Sequence, residues 1–190
     1  MPPGALRLRR RSIRVRGIDY SQPGVYFVTI CAHRRECLFG EANGARIDLS
    51  ALGLLVQACW LEIPQHFPHV ELQGYVVMPN HVHGLLAFTG RTRHGSATLI
   101  TSGAPVQQAP HQLEDFGKPS PGSLATIIRL HKQAVTLRAR ETFSRPTLQV
   151  WHRGYFERVV RDGEEFAALT QYIRENPLRW AFDRENPARV

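Results

Sequence analysis

The chain has 190 residues, 43% of them apolar, and a formal charge of +8. That length suits one domain with a sizeable core, and no run approaches the ~20 apolar residues of a membrane helix. The start lacks the apolar block of a secretory signal, so a cytoplasmic protein with no membrane partner is expected.

Cys31, Cys37 and Cys59 have no C-x-x-C spacing, which argues against a disulfide framework or a zinc ribbon. The positive charge favours a polyanion, most often nucleic acid. All basic residues except Lys118 and Lys132 are arginines. Their forked head suits phosphate, although a GC-rich genome gives the same bias.

Residues 1–17 carry Arg7, Arg9, Arg10, Arg11, Arg14 and Arg16 before the first acid, Asp19. Such a run reads as a flexible basic arm that contacts DNA phosphates, or as a merely solubilising start. Val25–Cys31 is rich in β-branched and aromatic residues and predicts a central strand covered on both faces. A helix follows from a Ser50 cap to Ile63, where Pro64 ends it. Leu52, Leu55, Val56, Cys59, Trp60 and Ile63 form its buried stripe.

Val70–Met78 and His81–Thr89 read as two strands of a tight hairpin turning at Pro79-Asn80. Residues 90–122 have no apolar period and read as a mobile loop insertion. A second helix spans Ser123 to Thr142, with Leu124, Ile127, Ile128, His131, Val135 and Leu137 towards one side. Its Arg129, Lys132, Arg138 and Arg140 are spread elsewhere, as on a DNA-facing surface or an ordinary solvated one. Leu148–Trp151 and Tyr155–Val160 read as short strands around Arg153-Gly154. A third helix opens at Asp162 or Gly163 and closes at Asn176 before Pro177. The order predicts an α+β, ferredoxin-like split βαβ sandwich, with an antiparallel sheet and an appended C-terminal helix carrying Tyr172. Such a fold by itself decides no function.

The sharpest local signal is His81-Val82-His83. Strand residues two apart share a face, so both imidazoles can present to one divalent metal while Val82 points into the core. On the third helix Tyr172 and Asn176 are one turn apart and project together. An Asn176 carboxamide oxygen could complete a mixed nitrogen and oxygen site suited to Mg2+ or Mn2+. The plainer account has Tyr172 packing at the core edge and Asn176 capping the helix. The residues alone leave both open. Tyr155 is a rival nucleophile, without a polar partner one turn on.

The block Pro79-Asn80-His81-Val82-His83-Gly84-Leu85-Leu86 resembles the HUH motif of single-tyrosine HUH transposases. Trp151-His152-Arg153-Gly154-Tyr155-Phe156, followed by Tyr172 through Arg179, is similar to the REP-associated tyrosine transposases. Gly122-Ser123-Leu124 leading into Lys132-Gln133-Ala134-Val135 fits their basic helix. The resemblance spans residues 18–180 as one catalytic domain, leaving 181–190 as a tail. It implies that His81 and His83 are metal ligands, Asn176 the third ligand, and Tyr172 the nucleophile. Mobile-element members often carry Gln where this chain has Asn176.

Implied too are Mg2+ or Mn2+, a single-stranded or hairpin DNA substrate, and a monomer or homodimer. Arg9, Arg10, Arg11, Arg14, Arg129, Lys132, Arg138 and Arg153 are the expected DNA contacts. The other class to weigh is a non-catalytic nucleic-acid-binding module on the same type of sheet. A histidine-triad hydrolase would need another His where Leu85 stands, and the two-histidine phosphoesterase motifs are not found.

Overall fold

All eight residues of β1 (Gly24–Cys31) pair with β5 (His81–Phe88), and the five from Val25 to Thr29 pair on the other edge with β6 (Phe156–Val160). With β4 (Val70–Val77) outside β5, the order is β4-β5-β1-β6 and every pairing is antiparallel. This computed structural model describes residues 23–89 and 121–187. The basic arm and nearly all of the 90–122 loop lie outside the described residues. The remaining elements are β2 (Gly40–Asn43), β3 (Arg46–Leu49), α1 (Ala51–Leu61), α2 (Ile63–His66), α3 (Leu124–Thr142) and α4 (Gly163–Glu175). A 3-10 turn follows over Pro177–Phe182. The α+β sandwich is the fold class that the sequence predicts.

The period of two divides β1 between two layers. Tyr26, Val28 and Ile30 join the main core with Val82, Leu86 and Phe88 of β5, under α1 and α3. Phe27 and Thr29 face the opposite side, where α4 lies against β4 and β5. Burying each large core side chain contributes roughly 1.5–3 kcal/mol, which explains why such a run settles as the central strand. Gly84 sets the spacing of the main layer. A Cβ there would sit 2.1 Å from a carbon of the Trp60 ring, so the indole of α1 lies directly on the β5 backbone.

Helix ends follow their caps. Ser50 accepts from the Gly53 amide, Ser123 from Thr126 and Asp162 from Glu165. Three expectations need correction. Pro64 does not simply end the first helix: α1 stops at Leu61, and α2 restarts with Pro64 in its first turn, where a missing N–H costs nothing.

Leu148–Trp151 is no strand. A single bridge joins Trp151 to Ala32, and the chain then bulges through Arg153-Gly154 before β6 resumes opposite Thr29. Leu137 is exposed although the α3 stripe around it is buried. The β2–β3 hairpin was not anticipated. The cysteines are all free, and no helix among the described residues is long and apolar enough to cross a membrane.

Candidate active site

β5 brings the rings of His81 and His83 to 4.4 Å between centroids. Both are buried, and the tautomer of His81 is legible from its partners. The Asn80 amide nitrogen donates to the carbonyls of Arg35 (2.9 Å) and Glu185 (2.6 Å). Its oxygen therefore faces His81 Nδ1 at 2.9 Å. A carbonyl oxygen only accepts, so Nδ1 carries the proton and Nε2 keeps its lone pair. His83 Nδ1 lies 2.8 Å from Thr29 Oγ1, and its Nε2 lies 3.2 Å from the Tyr172 hydroxyl. Both hydroxyls can donate or accept, so His83 fits here with its proton on either nitrogen.

Burial pulls His81 down to about 4, with the Asp183 carboxylate working against it and Arg35 adding to it. His83 is held well below the usual imidazole range, first by burial and then by His81. Both rings are neutral at pH 7 and can offer lone pairs to a cation. Tyr172 is raised above the ordinary phenol value by burial and then by Asp183, while the Asn176 amide favours the anion. Phe27 stacks on the His83 ring at 5.2 Å and meets the Tyr172 ring edge-on at 6.1 Å.

A carboxylate joins the pair. Ligand atoms of His81, His83 and Asp183 lie within 4.8 Å of one another. His81 Nε2 and Asn176 Oδ1 are buried with no hydrogen-bond partner, an expensive condition for polar atoms unless something binds them. Two neutral imidazoles, a carboxylate and an amide oxygen are a donor set for a divalent cation of the Mn2+ or Mg2+ kind. The residues fit such an ion.

His83, Tyr172, Asn176 and Asp183 line a cavity of about 710 Å3, together with Phe156, Phe182 and Arg184. Residues 182–185, beyond position 180, thus form part of its wall. Arg35 pairs with Glu185 across it. Sequence reasoning missed Asp183, Glu185, Thr29 and Arg35 as site residues. Asn80 was visible only as a turn residue. An acid shortly after Asn176 was the one available signal for Asp183.

Tyr155 is elsewhere, packed against the main core. Among the expected DNA contacts, Arg9, Arg10, Arg11 and Arg14 lie outside the described residues. Arg129 and Arg153 are exposed. Lys132 is turned inward, donating to the carbonyls of His152 (2.7 Å) and Gly154 (2.9 Å), and burial pushes it down to about 8. Arg138 is paired with Glu62 and donates to Cys59 Sγ. The structure brings His81, His83, Tyr172 and Asn176 together, and leaves the α3 cations on the opposite layer.

The scaffold is thus an α+β sandwich with two imidazoles, a phenol and a carboxylate meeting on one face of its sheet. Over 175 residues the chain is 35% identical to an uncharacterized protein of Haemophilus influenzae, covering 92% of each sequence. It belongs to the family of that protein. No family model matches the chain. A solved REP-associated tyrosine transposase bound to a REP hairpin is similar in structure, with a TM-score of 0.54 at 15% identity. That match covers 85% of this chain and 71% of the other, and at such identity the likeness is one of fold.

Proposed function

We propose that the chain is a transposase-type enzyme that cuts and rejoins single-stranded or hairpin DNA through Tyr172, with a divalent cation at His81 and His83. The observation that carries this reading is the 3.2 Å approach of the Tyr172 hydroxyl to His83 Nε2, beside His81 and Asp183. Asn176 and Asp183 are the proposed oxygen ligands. The similar transposase was solved on a hairpin, which supports hairpin DNA as substrate, as does the resemblance of the His81–His83 and Tyr172–Asn176 blocks.

When bound, the cation polarises the scissile phosphate and neutralises charge building on its oxygens, which lowers the barrier by several kcal/mol. The protein's own part is positional. Asn80 fixes the His81 tautomer, which leaves its Nε2 lone pair free, and Thr29 anchors the His83 ring through Nδ1. Phe27 limits how far the phenol can swing. The Tyr172 oxygen bonds to phosphorus, the bond to the 3′ oxygen breaks, and that oxygen leaves with a proton as a free 3′-OH. The 5′-phosphotyrosine keeps the phosphodiester energy, so rejoining needs no nucleotide triphosphate.

The test uses single-stranded DNA from beside the chain's own gene, with Mn2+ or Mg2+. A covalent protein–DNA adduct is expected on a denaturing gel, and Tyr172→Phe should abolish it. An adduct that persists in the variant overturns Tyr172 as nucleophile. Binding with no adduct in the parent protein favours the non-catalytic sheet module instead.

A further inference from the structure

Three large aromatic side chains are exposed among the described residues: Phe156, Tyr172 and Phe182. All three line the same cavity. Exposed leucines are scattered over α1, α3 and the final turn, so this aromatic convergence is not a general feature of the surface. Phe156 stands directly opposite Thr29 across the β1–β6 ladder, which puts both side chains on one face of the sheet. Thr29 in turn touches His83. The Phe156 ring is therefore separated by the single strand β1 from the imidazole that Tyr172 approaches, on an open face, with no ring contact among the described residues (its exposure is 47%).

Resting on the function proposed above, we infer that Phe156 is a stacking platform for an unpaired nucleobase of the nucleotide next to the scissile phosphate. An aromatic face accepts any base, because every base has a π-face. The charge of the cavity suits a nucleotide rather than an apolar molecule. Arg35 is committed to Glu185 and Arg179 to Glu175, while Arg184 makes no ion pair among the described residues and stays free for a phosphate. Phe182, the most exposed of the three rings, is a second stacking surface in the same cavity. A duplex would hold its bases stacked inside the helix. A base resting on Phe156 must be unpaired, so the platform selects single-stranded or loop DNA at this position.

The experiment measures binding by fluorescence anisotropy, in a Tyr172→Phe background that cannot cleave. The probes are a labelled twenty-nucleotide oligo(dT) and an abasic strand of the same length. Phe156→Leu should weaken binding of oligo(dT) by about tenfold and leave the abasic strand unaffected. Phe156→Tyr should bind within about twofold of the parent. Equal binding by Phe156→Leu and parent, or an equal loss on both strands, overturns the platform. A lowered thermal midpoint in Phe156→Leu alone does not explain a base-dependent loss, because a folding defect weakens both strands alike. The two readings separate cleanly: a base-dependent loss without any adduct in the parent protein retains the platform and removes the nuclease, and an adduct with no Phe156 effect does the reverse.

Discussion

Asn80 illustrates how much one side chain can decide. Its amide holds two carbonyls from distant parts of the chain and, with what remains, sets the proton on His81. Arg35, whose carbonyl it holds, sits in the left-handed region (φ 60°) that non-glycine residues seldom adopt. That the imidazoles share a face was legible in the sequence, because a strand's period of two leaves no choice. The tautomer was not legible, since it depends on partners 45 and 105 residues away.

His131 gives a prediction at the same scale. Burial pushes it down to about 4, the Cys59 carbonyl only partly offsetting this. Its ring lies between Trp60 and Trp151. In the unfolded chain it titrates near 6.5. Its folded value is the lower one, so the unfolded state binds more protons between these values. The stability it contributes is intact above about 6.5 and is lost as pH falls towards 4, by about 3 kcal/mol. Urea unfolding of His131→Phe across that range should give a visibly shallower pH slope than the parent. Parallel curves would rule the effect out.

Among the elements, the long periodic ones were readable: β1, the β4–β5 hairpin, α1, α3 and α4 fall close to their expected positions. The misses share a cause. β2 and β3 are four residues each and largely exposed, so no apolar alternation marks them. The Leu148–Trp151 segment is apolar because Val150 fills the core, while its backbone makes one bridge only. Hydrophobicity reported burial there and not pairing.

The packing of α1 on β5 leaves no room for a side chain at Gly84. Gly84→Ala places a methyl group into the Trp60 ring and should destabilise the protein by about 3 kcal/mol as the helix is forced outward. Guanidinium denaturation checks this, and a cost under about 1 kcal/mol would mean that the indole can move aside.

At the scale of the whole molecule, the sheet separates two kinds of surface. One carries Tyr172 and the cavity; the other carries α3, whose Lys132 and Arg138 are occupied in holding the fold together. Counting arginines and lysines could not distinguish such internal ties from free cations. Closure of the cavity depends on the segment after the final turn, which supplies Asp183 and Glu185. A chain stopped after Phe182 should keep its far-UV circular dichroism and bind Mn2+ about tenfold more weakly by titration calorimetry. Unchanged affinity would remove Asp183 from the ligand set.

The bond from Asn80 to the Glu185 carbonyl spans 105 positions in sequence. On the ribosome His81 and His83 emerge long before Asp183 has been made. A nascent or prematurely released polypeptide therefore holds two imidazoles without the acid that lies beside them in the finished fold, and an Asn80 without the carbonyl that orients it.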